Sequence, residues 1–300
     1  MMRKPFPVFF ALRVIFPLIF YSGFLAAQGT TGVTVRSGSF TSATRCSVDP
    51  SGYVYVLDAG TNELLKNTTA GKVVCSIGGY GWTTLTFDQP ADLSSPNGLD
   101  VYVADYGNHR IQRFDRNLNF ISSLYLRDDE NPGLRFGYPR GVDMDRFGAL
   151  YLVDGENIRI LKFDATNAFE RSFGGEEAGK GRLHSPSRLR VSVDDQVYVQ
   201  DGNSLVVFNV FGNFVRTIGD GLFRNLQTFT VNESALYALD SCTVRVLNNK
   251  GEVIWSYDLL REGLVSPCEV KDFAVLGKQL YILTSKEIIV RNLPEKIPGN

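Results

Sequence analysis

Val101-Tyr-Val-Ala-Asp105-Tyr-Gly-Asn-His-Arg110-Ile111 is the stretch on which the fold turns. Its first half is an alternating apolar strand ending on aspartate. Its second half is a polar loop that opens into another strand, Arg110-Ile-Gln-Arg-Phe-Asp115. The strand phrase returns as Tyr53-Val-Tyr-Val-Leu-Asp58, Leu150-Tyr-Leu-Val-Asp154, Val197-Tyr-Val-Gln-Asp201, Leu236-Tyr-Ala-Leu-Asp240 and Leu280-Tyr-Ile-Leu-Thr284. The last residues of the six phrases are 47, 49, 47, 39 and 44 positions apart. Periods of about 40–50 residues, each holding several short strands, mark propeller blades. Six phrases predict six blades.

Each phrase is surrounded by the same punctuation. Before it lie a strand and a tight turn, as in Ser47-Val-Asp-Pro-Ser-Gly52 and Gly141-Val-Asp-Met-Asp-Arg-Phe-Gly148. After it come a loop, a third strand and a turn carrying residues that tolerate positive φ, as at Arg116-Asn117, Phe211-Gly212-Asn213 and Lys250-Gly251. A fourth strand follows, ending on double glycine at Gly78-Gly79 and Gly174-Gly175. No sustained 3.6-residue period accompanies these strands, so almost no helix is expected. The prediction is an all-β, six-bladed propeller of four-stranded antiparallel blades.

The sixth unit contains only three strands, ending in Glu287 to Leu293, while Val33 to Phe40 forms an orphan strand ahead of the first unit. The N-terminal strand is therefore expected to complete the last blade, which removes an open edge and closes the ring.

Asp105-Tyr-Gly-Asn108-His109-Arg110-Ile111 resembles the NHL repeat, and Asp154-Gly-Glu-Asn157-Ile-Arg159-Ile160 keeps part of it. The resemblance extends over about residues 33–293, strongest in the second to fourth units. It implies a six-bladed ring, in agreement with the count. Among proteins it brings to mind, amidating lyases use a histidine-rich zinc site, and lactonases of similar shape hold calcium with converging Glu, Asn and Asp. Here the only histidines are His109 and His184, in separate units, short of the three protein ligands that catalytic zinc generally takes. For calcium, no motif singles out Asp92, Asn97 or Glu269. No cofactor is expected, with calcium or zinc in the channel left as the open alternative.

Residues 1–27 read as a cleaved signal peptide: Arg3, Lys4 and Arg13 precede the apolar run Val14 to Leu25, and Ala26-Ala27 offers small residues for cleavage. Arg13 and Pro17 argue against a spanning helix there. Residues 28–300 are then one secreted or periplasmic domain with no later membrane span, expected to be monomeric. Taking three basic residues from a whole-chain charge of −1 leaves −4, which offers no general attraction for phosphate backbones and excludes nucleic acid as a partner class. Cys46, Cys75, Cys242 and Cys268 reach a compartment where disulfides persist. Cys242 with Cys268 is the expected pair, because their loops open on one face.

Candidate site residues lie in loops leading into each innermost strand. Proline followed two residues later by a rim position gives Asp92, Arg188 and Glu269; Arg140 follows Pro139 directly, and Arg45 takes the like place in the first unit. These five would ring one mouth of the channel, either as an ion-pair ring that aligns the blades or as a ligand site. The strand-end aspartates read as loop caps. Tyr80 and Trp82, flanked by glycine, and Tyr106 are candidate anchors for a protein, peptide or carbohydrate partner; Trp82 packed between blades is the competing reading. The expected function is a binding scaffold, and the alternative is a metal-dependent hydrolase or lyase using the channel.

Overall fold

The tyrosine strands are buried on both faces, as Val54–Asp58 and Leu150–Asp154 are throughout, and a strand covered on both sides reads as a near-continuous apolar run. The computed structural model describes residues 34–232, 235–266 and 269–293. The segment read as a signal peptide and Cys268 fall outside the described residues.

Among the described residues, 24 strands form six four-stranded antiparallel sheets. The one helical element is a three-residue 3-10 turn at Gly179–Gly181. The first strands of the blades are Ala43–Val48, Pro90–Ser94, Gly141–Met144, Pro186–Val191, Leu226–Val231 and Val270–Leu276. These six touch one another around the axis and form the inner wall.

The core consists of six wedges between blades, which explains why the phrase carries tyrosine. Tyr55 of blade 1 packs with Leu93, Val101 and Val103 of blade 2. Tyr102, Tyr151, Tyr198 and Tyr237 each pack the same way against the following blade. Tyr281 of blade 6 closes the circle against Ala43, Cys46, Val54 and Val56 of blade 1. Such an aromatic supplies large apolar area, yet its hydroxyl needs a partner when buried. Tyr55 Oη donates to Asp49 at 3.2 Å, and Tyr151 Oη donates to Asp145 at 3.2 Å. Both acceptors sit in the first hairpin turn of their blade, where Gly52 (φ +88°) and Gly148 (φ +89°) supply the left-handed residue.

Closure follows the expected topology. Val35–Ser37 is the outermost strand of the sixth sheet, with Val35 opposite Val290, Arg36 opposite Ile289 and Ser37 opposite Ile288. Arg36 pairs with Glu287 at 2.5 Å and donates to the Leu264 carbonyl at 2.8 Å. Phe40, 5% exposed, turns into the wedge between blades 6 and 1.

The three cysteines among the described residues do not pair. Cys46 is buried on an inner strand and Cys75 lies on an outermost one; both carry free thiols, as does Cys242. Because Cys268 lies outside the described residues, its expected pairing with Cys242 does too.

Candidate functional site

Strand register fixes which side chains share a level around the axis. Cys46, Leu93, Val142, Leu189, Phe229 and Phe273 each stand opposite the residue two before the end of the tyrosine strand. The residues just before them form one ring: Arg45, Asp92, Gly141, Arg188, Thr228 and Asp272. Two positions deeper come Ser47, Ser94, Asp143, Arg190, Thr230 and Ala274. Of the five residues expected at one mouth, Arg45, Asp92 and Arg188 share this level, and two stand elsewhere. Arg140 sits one residue early, leaving Gly141 at the ring. Glu269 is exposed on the loop before the sixth blade, where it accepts the Ser266 N–H at 3.1 Å; the ring residue is Asp272.

The two levels stitch the blades together. Asp92, fully buried, accepts from Arg190 Nη1 at 2.8 Å and Nη2 at 3.0 Å, and from the Val142 N–H at 3.2 Å. Arg188, 3% exposed, donates to Asp272 at 2.5 Å and to the Thr228 hydroxyl. Asp272 also accepts the Cys46 N–H at 3.0 Å and Thr228 Oγ1 at 2.9 Å. Asp143 accepts from Ser94 at 2.5 Å and from the Val191 N–H at 2.8 Å. Ser47 accepts the Ser95 N–H at 3.1 Å. Every joint between neighbouring blades is bridged by a side chain of these levels or the residue beside them. Burial opposes ionisation of Asp92, but Arg190 and Arg188 outweigh it and hold the carboxyl below its ordinary value. At Asp143 burial outweighs the Arg190 charge and the Ser94 hydrogen bond, and the carboxyl is raised. Burial also raises the Cys46 thiol well above its usual range, making it a poor nucleophile.

The aspartates that end the tyrosine strands are caps. Asp58 accepts the N–H groups of Thr41, Ser42 and Gly60. Asp201 holds His184 and Ser185, and Asp240 holds Arg224 and Asn225. Each ties the loop leading into its blade to the strand beyond it.

In the second blade this cap carries more. Asp105 pairs with Arg110 at 2.8 Å and accepts from Asn108 at 2.9 Å. Those two side chains then reach into the loop between blades 1 and 2. Asn108 donates to the Gly81 carbonyl, Arg110 to those of Trp82, Thr83 and Thr86, and Gln112 to that of Thr86, at 2.8–3.0 Å. The loop is held by its carbonyls while Tyr80 and Trp82 stand 71% and 65% exposed. Trp82 is not packed between blades. Nearby, Tyr106 lies against Tyr138 with centroids 5.1 Å apart, and His109 meets Tyr138 edge-on at 4.2 Å. His109 Nδ1 accepts the Tyr138 N–H at 3.1 Å and faces Arg127 Nη1 at 2.9 Å. Burial and the Arg127 charge lower its basicity, so it acts as a loop acceptor. Arg110→Ala should release the loop. In a Trp255→Phe background, where Trp82 is the sole tryptophan, steady-state anisotropy of its emission is expected to fall; an unchanged value would mean that the carbonyl clamp does not set the loop's mobility.

The three residues weighed for calcium do not meet. Asn97 caps its own turn by accepting the Leu99 and Asp100 N–H groups, Asp92 is taken up by arginine, and Glu269 lies on the loop outside the ring. Among the described residues, no three His, Cys, Asp or Glu side chains are grouped to hold an ion. Sequence reading missed Arg190 and Asp272. It also missed Phe147 and Phe211, 69% and 63% exposed, which flank a groove of about 680 Å³ between blades 3 and 4.

Six sheets around one axis, closed by the first strand and stitched at every joint, define the class: a six-bladed β-propeller. Residues 87–114, in the second blade, match the NHL repeat family. The chain is 27% identical over 125 residues to a "Probable peptidyl-alpha-hydroxyglycine alpha-amidating lyase" of Caenorhabditis elegans, covering 40% of this chain and 36% of the relative. It is 26% identical over 121 residues to NHL repeat-containing protein 3 of Mus musculus, covering 37% and 35%. The matches thus span about a third of each relative's length. Among solved structures, virginiamycin B lyase from Staphylococcus aureus superposes with a TM-score of 0.61 at 12% identity, over 87% of this chain and 99% of that one. A catalytically inactive variant of the same lyase with quinupristin gives 0.62 at 12% identity, over 87% and 100%. At that identity the likeness concerns the fold alone. No helix among the described residues is long and apolar enough to cross a membrane.

Proposed function

We propose that this chain is an exported binding scaffold whose protein or peptide partner docks on the face bearing Tyr80, Trp82 and the Tyr106–Tyr138 pair. The observation that carries this reading is the clamped loop. Two large aromatics are held in solvent by hydrogen bonds to the carbonyls of Gly81, Trp82, Thr83 and Thr86. An anchor already ordered before binding loses less conformational entropy on association, and exposed Trp and Tyr are the side chains that most often dominate binding energy. Arginine has its usual place among such anchors, but here Arg110 is spent on holding the loop.

Trp82 emission in the Trp255→Phe variant, titrated across peptide and oligosaccharide panels, tests the reading directly. A peptide hit is expected to lose about 2 kcal/mol or more in the Trp82→Ala variant, the size of a binding hot spot. Hits that ignore both Tyr80→Ala and Trp82→Ala would reject this face, and hits confined to oligosaccharides would replace the peptide with a sugar.

Lyase chemistry is the second reading, favoured by the name of one of the two relatives. Metal analysis of purified protein separates the two: calcium or zinc bound at one equivalent would support the enzyme. Export itself is checked by N-terminal sequencing of the extracellular protein, with Gln28 expected as the first residue.

A further inference from the structure

The channel contains three guanidiniums and three carboxylates in its two levels, but they are not matched one to one. Asp92 takes Arg190 in two hydrogen bonds, with Arg188 also within 3.5 Å. Asp272 takes Arg188. Asp143 is satisfied by a hydroxyl and a backbone N–H. Arg45 remains. Its Nη1 donates at 3.1 Å to the carbonyl of its neighbour Thr44, its Nε is sealed from solvent with no acceptor, and it has no ion-pair partner among the described residues. A buried donor without an acceptor is costly, and native proteins leave few.

The surroundings add to this. Asp272 and Asp92 act on Arg45 favourably from a distance, while Arg188 and Arg190 repel it, and burial lowers its basicity overall. Gly141, two positions round the same ring, contributes no side chain there. Arg140 precedes that glycine and Lys271 precedes Asp272, and neither has an ion-pair partner among the described residues. Arg45 is thus a guanidinium whose one acceptor is its neighbour's carbonyl, with a buried Nε left over and no carboxylate of its own.

We propose that Arg45 anchors a small-anion site in the channel that takes a single carboxylate group, from either a free organic acid or the C-terminus of a peptide. The planar guanidinium fork matches a carboxylate in two parallel hydrogen bonds, and the match is strongest where water is excluded. The site is independent of the aromatic loop, so Trp82→Ala leaves it intact.

The test uses the full chain and four probes: N-acetylglycine, its amide, and one tripeptide with a free or an amidated C-terminus. Each is titrated at millimolar concentration and constant ionic strength while the melting temperature is followed. Both acids are expected to raise it with a saturable dose response, and both amides to leave it unchanged. A tripeptide acid that saturates at lower concentration than N-acetylglycine identifies a peptide terminus; equal concentrations identify a small acid. In Arg45→Met the saturating concentration should rise at least tenfold, and Arg45→Lys should recover part of that loss. An acid that acts equally on wild type and Arg45→Met is an adventitious ion only, and the proposal fails. Should Arg45→Met not fold, the wild-type comparison still decides, because an acid no better than its amide overturns the site.

Discussion

Deleting residues 34–40 is expected to abolish the single cooperative melting transition and leave a protein that aggregates on purification. The segment supplies the fourth strand of the sixth sheet, and without it Ile288, Ile289 and Val290 line an open edge. Unpaired apolar edges template association with other chains. The same deletion removes Phe40 from the wedge between blades 6 and 1. Loss of one buried phenylalanine costs about 3–5 kcal/mol, against a typical total stability of about 5–15 kcal/mol. Phe40→Ala gives the graded version, expected to stay monomeric and to lose that amount of unfolding free energy in denaturant titrations. Sedimentation and thermal melts check both. A deletion variant that stayed monomeric with an unchanged melting temperature would show that the ring does not depend on this strand.

The second large effect is expected at Asp92. Asp92→Ala leaves Arg190 buried without its carboxylate and removes the acceptor of the Val142 N–H. Stranding one member of a buried pair typically costs about 3–5 kcal/mol, whereas replacing both by apolar groups is far milder. Asp92→Leu with Arg190→Met should therefore be more stable than Asp92→Ala alone. Equilibrium urea unfolding of the three proteins decides it; a double variant worse than the single one would mean that the network's geometry matters more than its charge balance. The pair also shapes the acid response. Asp92 has a depressed folded value, so its contribution is present above the unfolded carboxylate range, near pH 4, and lost as pH falls through the folded value. Asp143 is raised and has the opposite sign: its contribution is full at low pH and lost as pH rises through its folded value. Removing Asp92 and Arg190 together should leave a shallower acid limb.

Blade number and closure were legible because the information is repeated six times. A strand phrase ending on aspartate survives local drift, and a missing fourth strand at one end announces a spare one at the other. The aspartate caps were legible for the same reason. The inner ring was only half legible, since its level is set by bulges between the first two strands, as at Pro90/Asp92 and Val270/Asp272. In the sixth blade Val270 takes the place that proline holds in Pro90 and Pro186, so counting from Pro267 lands three residues short of Asp272. Better signals were available: Leu93, Val142, Leu189, Phe229 and Phe273 mark the buried level, and the ring precedes it by one. That Trp82 stands outward could not be read from its glycine neighbours, because its position depends on where Arg110 and Gln112 reach from the next blade.

Ring closure also has a consequence in time. The Val35–Ser37 strand finds its hydrogen-bonded neighbour, Ile288–Asn292, only after every strand between them has been made. Blades 1 to 5 contain all their own strands and can form as they emerge, but Tyr281, which seals the last wedge, belongs to the final blade. Until then the growing chain is an open arc with an apolar flank at each end. Pairings this distant in sequence form slowly. The interval between the fifth blade and the sixth is thus when the nascent protein is most exposed to wrong partners, and a stalled or truncated product ending near residue 260 should be cleared or aggregated rather than accumulate.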